Sequence, residues 1–230
     1  MRVLIFCAHA DDEVIGMGGT IRKFADAGAE IRLVMFSAGA EGYSTLDEAD
    51  TITARRDREV RAAGAVLGIQ DYVNLHLLDW NLQVNNATYR AVVHHIRDFR
   101  PDVVFSHCFS DYNDHQAVST VTEEAWFHAA LPCALKEGEP HPMAPLYQFE
   151  VLHRMPLPSA VVDVTDTYAA KVAAMQCYAS QFDIVGSPFQ MMEGRALERG
   201  YAIGVKYGEA FYRSTYRPAP VGDVAKLLER

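Results

Sequence analysis

The chain has 230 residues, half of them hydrophobic and 22% charged, which is enough for one large α/β domain with a sizeable core. Thirty acidic against 21 basic residues leave a net charge of -9, which argues against nucleic acid or an anionic membrane as the main partner. Cys7, Cys108, Cys133 and Cys177 form no CxxC pair, so neither a zinc knuckle nor a dithiol redox site is written here, and reduced thiols in a cytoplasmic protein are expected. The first apolar run is short and breaks into acidic residues, so it reads as neither a signal peptide nor a membrane span.

In chain order, Val3–Ala8 is a continuous apolar run, the pattern of a strand buried on both faces. Val14–Ala27 follows with helical spacing and stops at Gly28. Ile31–Phe36 is a second buried strand, Ala38–Asp47 a loop, and Thr51–Leu67 a helix ending at Gly68. Tyr72–Leu78 is a third strand, Ala87–Phe99 a helix stopped by Pro101, Val103–Ser106 a fourth strand, and His115–Ala130 a helix stopped by Pro132. This alternation predicts a parallel sheet with helices on both faces. Beyond it, Lys136–Pro145 carries Gly138 and three prolines and reads as a surface excursion. Tyr147–Val151 and Ala160–Val164 read as strands, Thr167–Ser180 as a helix, and Asp183–Arg195 as a loop. No repeat or linker interrupts the chain, so residues 1–230 are expected to form one domain.

The chemistry concentrates in two short segments. His9-Ala10-Asp11-Asp12-Glu13 lies between the first predicted strand and the first helix, where open α/β sheets build their crevices. A turn can bring His9 and Asp12, three residues apart, onto one metal, leaving Asp11 free to face a water. Ser110–His115 follows the fourth predicted strand, and His115 would complete a two-histidine, one-carboxylate set that leaves a coordination position open. Such a metal acidifies water and polarises a carbonyl, and a free carboxylate can relay the proton to a leaving amine. Each segment alone has a simpler reading. Asp111 or Asp114 could cap a helix, and the acidic run could serve a helix N-terminus. Together, at neighbouring strand ends, they are harder to dismiss. Gly16-Met17-Gly18-Gly19 fails as a dinucleotide fingerprint, because the third glycine position holds Ile21. Those glycines fit close helix–sheet packing instead. His94 and His95 read as surface residues.

At this point the sequence resembles the LmbE-like, or PIG-L, zinc deacetylases. Ala8-His9-Ala10-Asp11-Asp12-Glu13 is similar to the family's AHPDDE, with Ala10 in place of proline. Arg56-Asp57-Arg58-Glu59 resembles its RxxE helix and Asp114-His115-Gln116-Ala117-Val118 its DHxAV segment. Val162-Asp163-Val164-Thr165, Lys171, Ser180-Gln181 and Gly204–Phe211 resemble its later motifs, so the likeness runs from residue 2 to about 213. It implies a Rossmann-like three-layer sandwich with a mostly parallel sheet. It implies zinc, or another divalent metal, on His9, Asp12 and His115, with Asp11 as general base and Arg56 contacting substrate sugar hydroxyls or a phosphate. The implied partner is a small N-acetylated sugar conjugate. Where the family often has a histidine three residues before the last ligand, this chain has Tyr112, whose hydroxyl could serve the oxyanion or merely pack over the metal loop. His107 could reach in from another angle. Two other functions stay open: a sugar-binding relative with altered chemistry, and an amide hydrolase tailoring a specialised metabolite. Self-association through the aromatic-rich tail also stays open.

Overall fold

A computed structural model describes residues 1–186 and 188–217. The first half alternates strictly: β1 (Arg2–Cys7), α1 (Asp12–Asp26), β2 (Glu30–Ser37), α2 (Ile52–Leu67), β3 (Asp71–Leu77), α3 (Asn86–Phe99), β4 (Val103–His107) and α4 (Asn113–Ala129). The second half adds β5 (Leu146–Phe149), β6 (Ala160–Asp163), α5 (Tyr168–Gln176), α6 (Phe182–Val185), α7 (Pro188–Ile203) and β7 (Gly208–Arg213). The strands form one sheet in the order β3-β2-β1-β4-β5-β7-β6. β1 to β5 pair in parallel, and β7 runs antiparallel to both of its neighbours.

Side chains alternate across β1 and so feed two cores. Val3, Ile5 and Cys7 pack with Val14 and Ile21 of α1, Val60 and Leu67 of α2, and Met175 of α5. Leu4 and Phe6 point the other way, into Val92, Ile96 and Phe99 of α3 and Val118, Val121 and Ala125 of α4. The result is the expected three-layer, mostly parallel α/β sandwich. Helix ends follow local chemistry. Asn85 and Thr88 form a reciprocal capping box at the start of α3, and Gly68 ends α2 in the left-handed region, at φ 82°.

Three expectations change. The loop expected over Asp183–Arg195 contains the start of α7, apart from residue 187, which lies outside the described residues. Pro188 reads as a breaker in sequence, yet it occupies the first helical position, where its missing N–H is no loss. The helix expected over Thr167–Ser180 ends at Gln176, and the chain turns so that Ser180 meets Glu59. His95 is buried against the Arg32 side of the sheet rather than exposed.

The late motifs meet inside the molecule. Lys171 Nζ donates to Glu209 Oε1 (2.6 Å) and to the Ile15 carbonyl (2.9 Å), and Glu209 also accepts the N–H groups of Gly19 and Thr20. Removing one partner of a buried pair strands the other charge. Glu209→Ala is therefore expected to destabilise the fold by about 3–5 kcal/mol, read as a lower urea midpoint.

Candidate active site

In the strand order, β1 lies between β2 and β4, and the chain leaves those strands on opposite sides. This is a topological switch point, where the loops after β1 and β4 diverge and leave a crevice. His9 and Asp11 lie just past β1, Asp12 opens α1, and His115 sits in the first turn of α4, past β4. Asp11 has φ 105°, a left-handed conformation unusual for aspartate and held by its surroundings. Its carbonyl accepts the N–H groups of Val14 and Ile15, and Asp12 Oδ2 folds back onto the N–H of His9 at 2.7 Å. Arg56 donates to the Ala10 carbonyl at 2.6 Å, clamping the turn from below.

That turn brings three donor groups together. His9 Nδ1 lies 3.3 Å from His115 Nε2, His115 Nε2 lies 3.2 Å from Asp12 Oδ1, and His9 Nδ1 lies 3.7 Å from Asp12 Oδ2. One ligand atom from each of the three lies within 4.8 Å of the others. Two ligands at about 2.0–2.1 Å from a tetrahedral zinc sit roughly 3.3 Å apart, so the spacing of the three fits such an ion.

The far nitrogen of each histidine faces a carboxylate. His9 Nε2 is 3.0 Å from Asp114 Oδ2, and His115 Nδ1 is 3.3 Å from Asp111 Oδ2, off the line of a full hydrogen bond. Asp114 is fixed by the N–H groups of Trp80 and Leu82, and Asp111 by those of Leu152 and His153. Such partners orient a ligating ring and raise its basicity. Burial opposes charge on His9, but hydrogen bonds to Asp114 and Asp12 lift it to about 9. His115 rises to about 10 against burial, through Asp12 and Asp111. Metal binding must displace a proton from each ring, so metal affinity falls as pH falls.

Asp11 is 5% exposed and lines the cleft. Burial pushes its carboxyl up to about 7, against the pull of Arg56. That value suits a proton acceptor near neutrality. Tyr112 caps α4, and its hydroxyl lies 3.1 Å from His9 Nδ1, at the donor cluster. Burial and the surrounding carboxylates push the phenol up, so it stays protonated and able to donate. His107 does not compete for that role. It is wholly buried and stacked on His115, and its Nε2 accepts the Ala8 N–H at 2.9 Å. Arg56 is buried too, rather than a solvated helix charge. Besides Ala10 it donates to Gln181, whose amide holds the Gly42 carbonyl, while Glu59 holds Ser180.

His9, Asp11, Asp12, Arg56, Tyr112, His115 and Gln181 line a cleft of about 300 Å³, together with Glu41, Asp79, Trp80, Leu152 and Ile184. Sequence reasoning missed Asp111 as an orienting group, although its i, i+4 spacing to His115 at a helix start is a usable signal. Trp80, Asp79 and Glu41 left no signal, being isolated residues in loops. Among the described residues no helix is long and apolar enough to cross a membrane.

Comparison with known proteins adds four findings. Residues 4–126 match the family described as PIG-L: GlcNAc-PI de-N-acetylase. The chain is 32% identical to a 1D-myo-inositol 2-acetamido-2-deoxy-alpha-D-glucopyranoside deacetylase from Thermomonospora curvata, over 64% of this chain and 59% of that protein. It is 30% identical to a 4-oxalmesaconate hydratase from Pseudomonas putida, over 77% and 73%. Among solved structures it is similar to an N,N'-diacetylchitobiose deacetylase from Pyrococcus horikoshii, with a TM-score of 0.86 and 27% identity, over 97% of this chain and 88% of the other.

Proposed function

Because the chain belongs to the PIG-L family of GlcNAc-PI de-N-acetylases, we propose that it is a metal-dependent amidohydrolase that removes an N-acetyl group from an amino-sugar conjugate. The observation that carries this reading is the cluster of His9, Asp12 and His115, with Asp11 and Tyr112 beside it in one cleft. His9 Nδ1, His115 Nε2 and an Asp12 carboxylate oxygen would hold the metal, of which zinc fits the donor set. Bound there, it would polarise the amide carbonyl and acidify a water.

The chain's own groups then do the following. Asp11 takes the proton of the attacking water and returns it to the departing amine nitrogen, so the C–N bond breaks without expelling an amide anion. Tyr112 donates its O–H to the oxygen that gains charge as the carbonyl becomes tetrahedral. Asp114 and Asp111 keep the two rings aimed. Arg56 fixes the Ala10 turn and tempers the charge of Asp11. With its guanidinium engaged by Ala10 and Gln181, Arg56 acts chiefly by shaping the cleft, and any substrate contact it makes is secondary. The same reading treats residues 1–230 as a single catalytic domain, of which residues 187 and 218–230 lie outside those described.

Acetate release is to be measured by mass spectrometry over a panel of N-acetylated sugars and sugar conjugates, with metal content determined on the same sample. Acetate release that depends on metal is expected. Full activity in metal-free protein would sink the proposal. A second reading is favoured by one observation, the match to a hydratase at 30% identity. Adding 4-oxalmesaconate to the panel decides between them, since hydration consumes it with no acetate formed. Tyr112→Phe tests the oxyanion role: kcat should fall about 10²–10³-fold with bound metal retained, and an unchanged kcat would reduce Tyr112 to packing.

A further inference from the structure

Trp80 presents a large apolar side chain that the fold does not use. It is 75% exposed, lines the cleft, and has φ 58°, a left-handed backbone in which a bulky residue is strained. The strain has a backbone purpose. The Trp80 N–H donates to Asp114 Oδ2 at 2.8 Å, the same oxygen that faces His9 Nε2. Glycine or asparagine would supply that N–H with less strain. The indole therefore needs its own explanation, and core packing does not supply one.

Its backbone is well anchored for a loop residue. The preceding Asp79 carboxylate accepts the Ser37 hydroxyl and the N–H groups of Gly39 (3.1 Å) and Glu41 (2.8 Å), which ties the β2 and β3 loops together. Glu41, exposed on the same cleft, has no side-chain hydrogen bond or ion pair among the described residues. An exposed aromatic side chain on an anchored backbone, lining the same cleft as a free carboxylate, matches a group with an apolar face and a hydroxylated edge. Pyranose C–H groups, slightly positive, suit the negative face of the indole, and ring hydroxyls can donate to Glu41. A phosphate or carboxylate there would meet Glu41 unfavourably.

The reacting amide has to sit on the buried floor, within reach of Asp11 and Tyr112. An indole three-quarters exposed at the rim meets what the acetamido sugar carries. We infer that Trp80 is a stacking platform, with Glu41 at its edge, for a second, uncharged sugar ring attached to the N-acetylated one. The substrate class is then a neutral di- or oligosaccharide rather than a monosaccharide, a phosphorylated conjugate or a lipid. This rests on the deacetylase reading of the same cleft.

The chain has two tryptophans, and Trp126, on α4, is buried in the core that α4 shares with α3. In a Trp126→Phe background the emission therefore reports Trp80 alone. N,N'-diacetylchitobiose should quench it with an affinity about tenfold above that of N-acetylglucosamine and of octyl N-acetylglucosaminide. Trp80→Ala should lower kcat/KM for the disaccharide about tenfold more than for the monosaccharide, mainly through KM, with bound metal retained, and Trp80→Phe should restore most of the difference. An equal loss on both sugars, no quenching by any of them, or tighter binding of the octyl glycoside overturns the platform. Quenching by the disaccharide without acetate release from any sugar leaves the platform standing and removes the deacetylase reading. Acetate release with no preference altered by Trp80→Ala does the reverse.

Discussion

Asp11→Asn is expected to lower kcat by about 10²–10⁴-fold while the protein keeps its metal. Asparagine preserves the shape of the side chain and tolerates the left-handed backbone at φ 105°, so the turn that places Asp12 survives. What it loses is a basic oxygen able to accept a proton. Retained metal with lost acetate release separates this role from ligation, and a variant that keeps wild-type kcat would remove Asp11 from the mechanism. The pH profile carries the same information. Asp11 works as the carboxylate, so kcat/KM falls as pH falls through its pKa. Burial raises that pKa to about 7, and a bound divalent cation, being positive, lowers it, so the acid limb should lie below about 7 in the wild type. Asp11→Asn should abolish that limb in the residual activity.

His115→Ala is expected to give protein without stoichiometric metal and with activity at background. One of only three donor groups disappears, and with it the ring that links Asp12 to Asp111. Asp111→Asn is the graded companion. It leaves all three donor groups but weakens the orientation of His115, and metal affinity should drop about 10–100-fold in a competition titration. Thermal melts give a second readout that needs no substrate. A metal held at 100 times its Kd stabilises the native state by about 2.7 kcal/mol, so chelation should lower the wild-type Tm and leave that of His115→Ala unmoved. Equal metal affinity in wild type and His115→Ala would place the metal elsewhere.

Much of the core was legible because parallel strands buried on both faces read as unbroken apolar runs. Val3–Ala8 and Ile31–Phe36 each fall within a residue or two of β1 and β2. The α7 helix was not legible, because Pro188 and Gly194 look like breakers until the helix is seen to start on the proline. What holds α7 down is tertiary. Arg199 pairs with buried Glu150 and donates to the Met155 carbonyl, and Arg195 donates to the Val151 and Leu152 carbonyls. Those contacts brace the loop whose N–H groups position Asp111, and no local pattern encodes them.

The sequence by itself determined the strand–helix alternation, and with it the delivery of His9, Asp11, Asp12 and His115 to the carboxyl edge of one sheet. Periodicity and chain order are local properties, whereas the spatial order that sets β1 beside β4, and with it the switch point, is tertiary. Only the tertiary structure decided the partners. Asp114 faces His9 across 105 positions and Asp111 faces His115 within a single turn, while His107 is sealed beneath the cluster and Tyr112 reaches it. Which carboxylate serves which ring depends on how two loops pack against each other, and that packing has no period along the chain. The candidate metal-donor set was therefore readable from motifs, whereas the carboxylates that face its rings, and the exposed Trp80 in the same cleft, became visible only once the loops were in place.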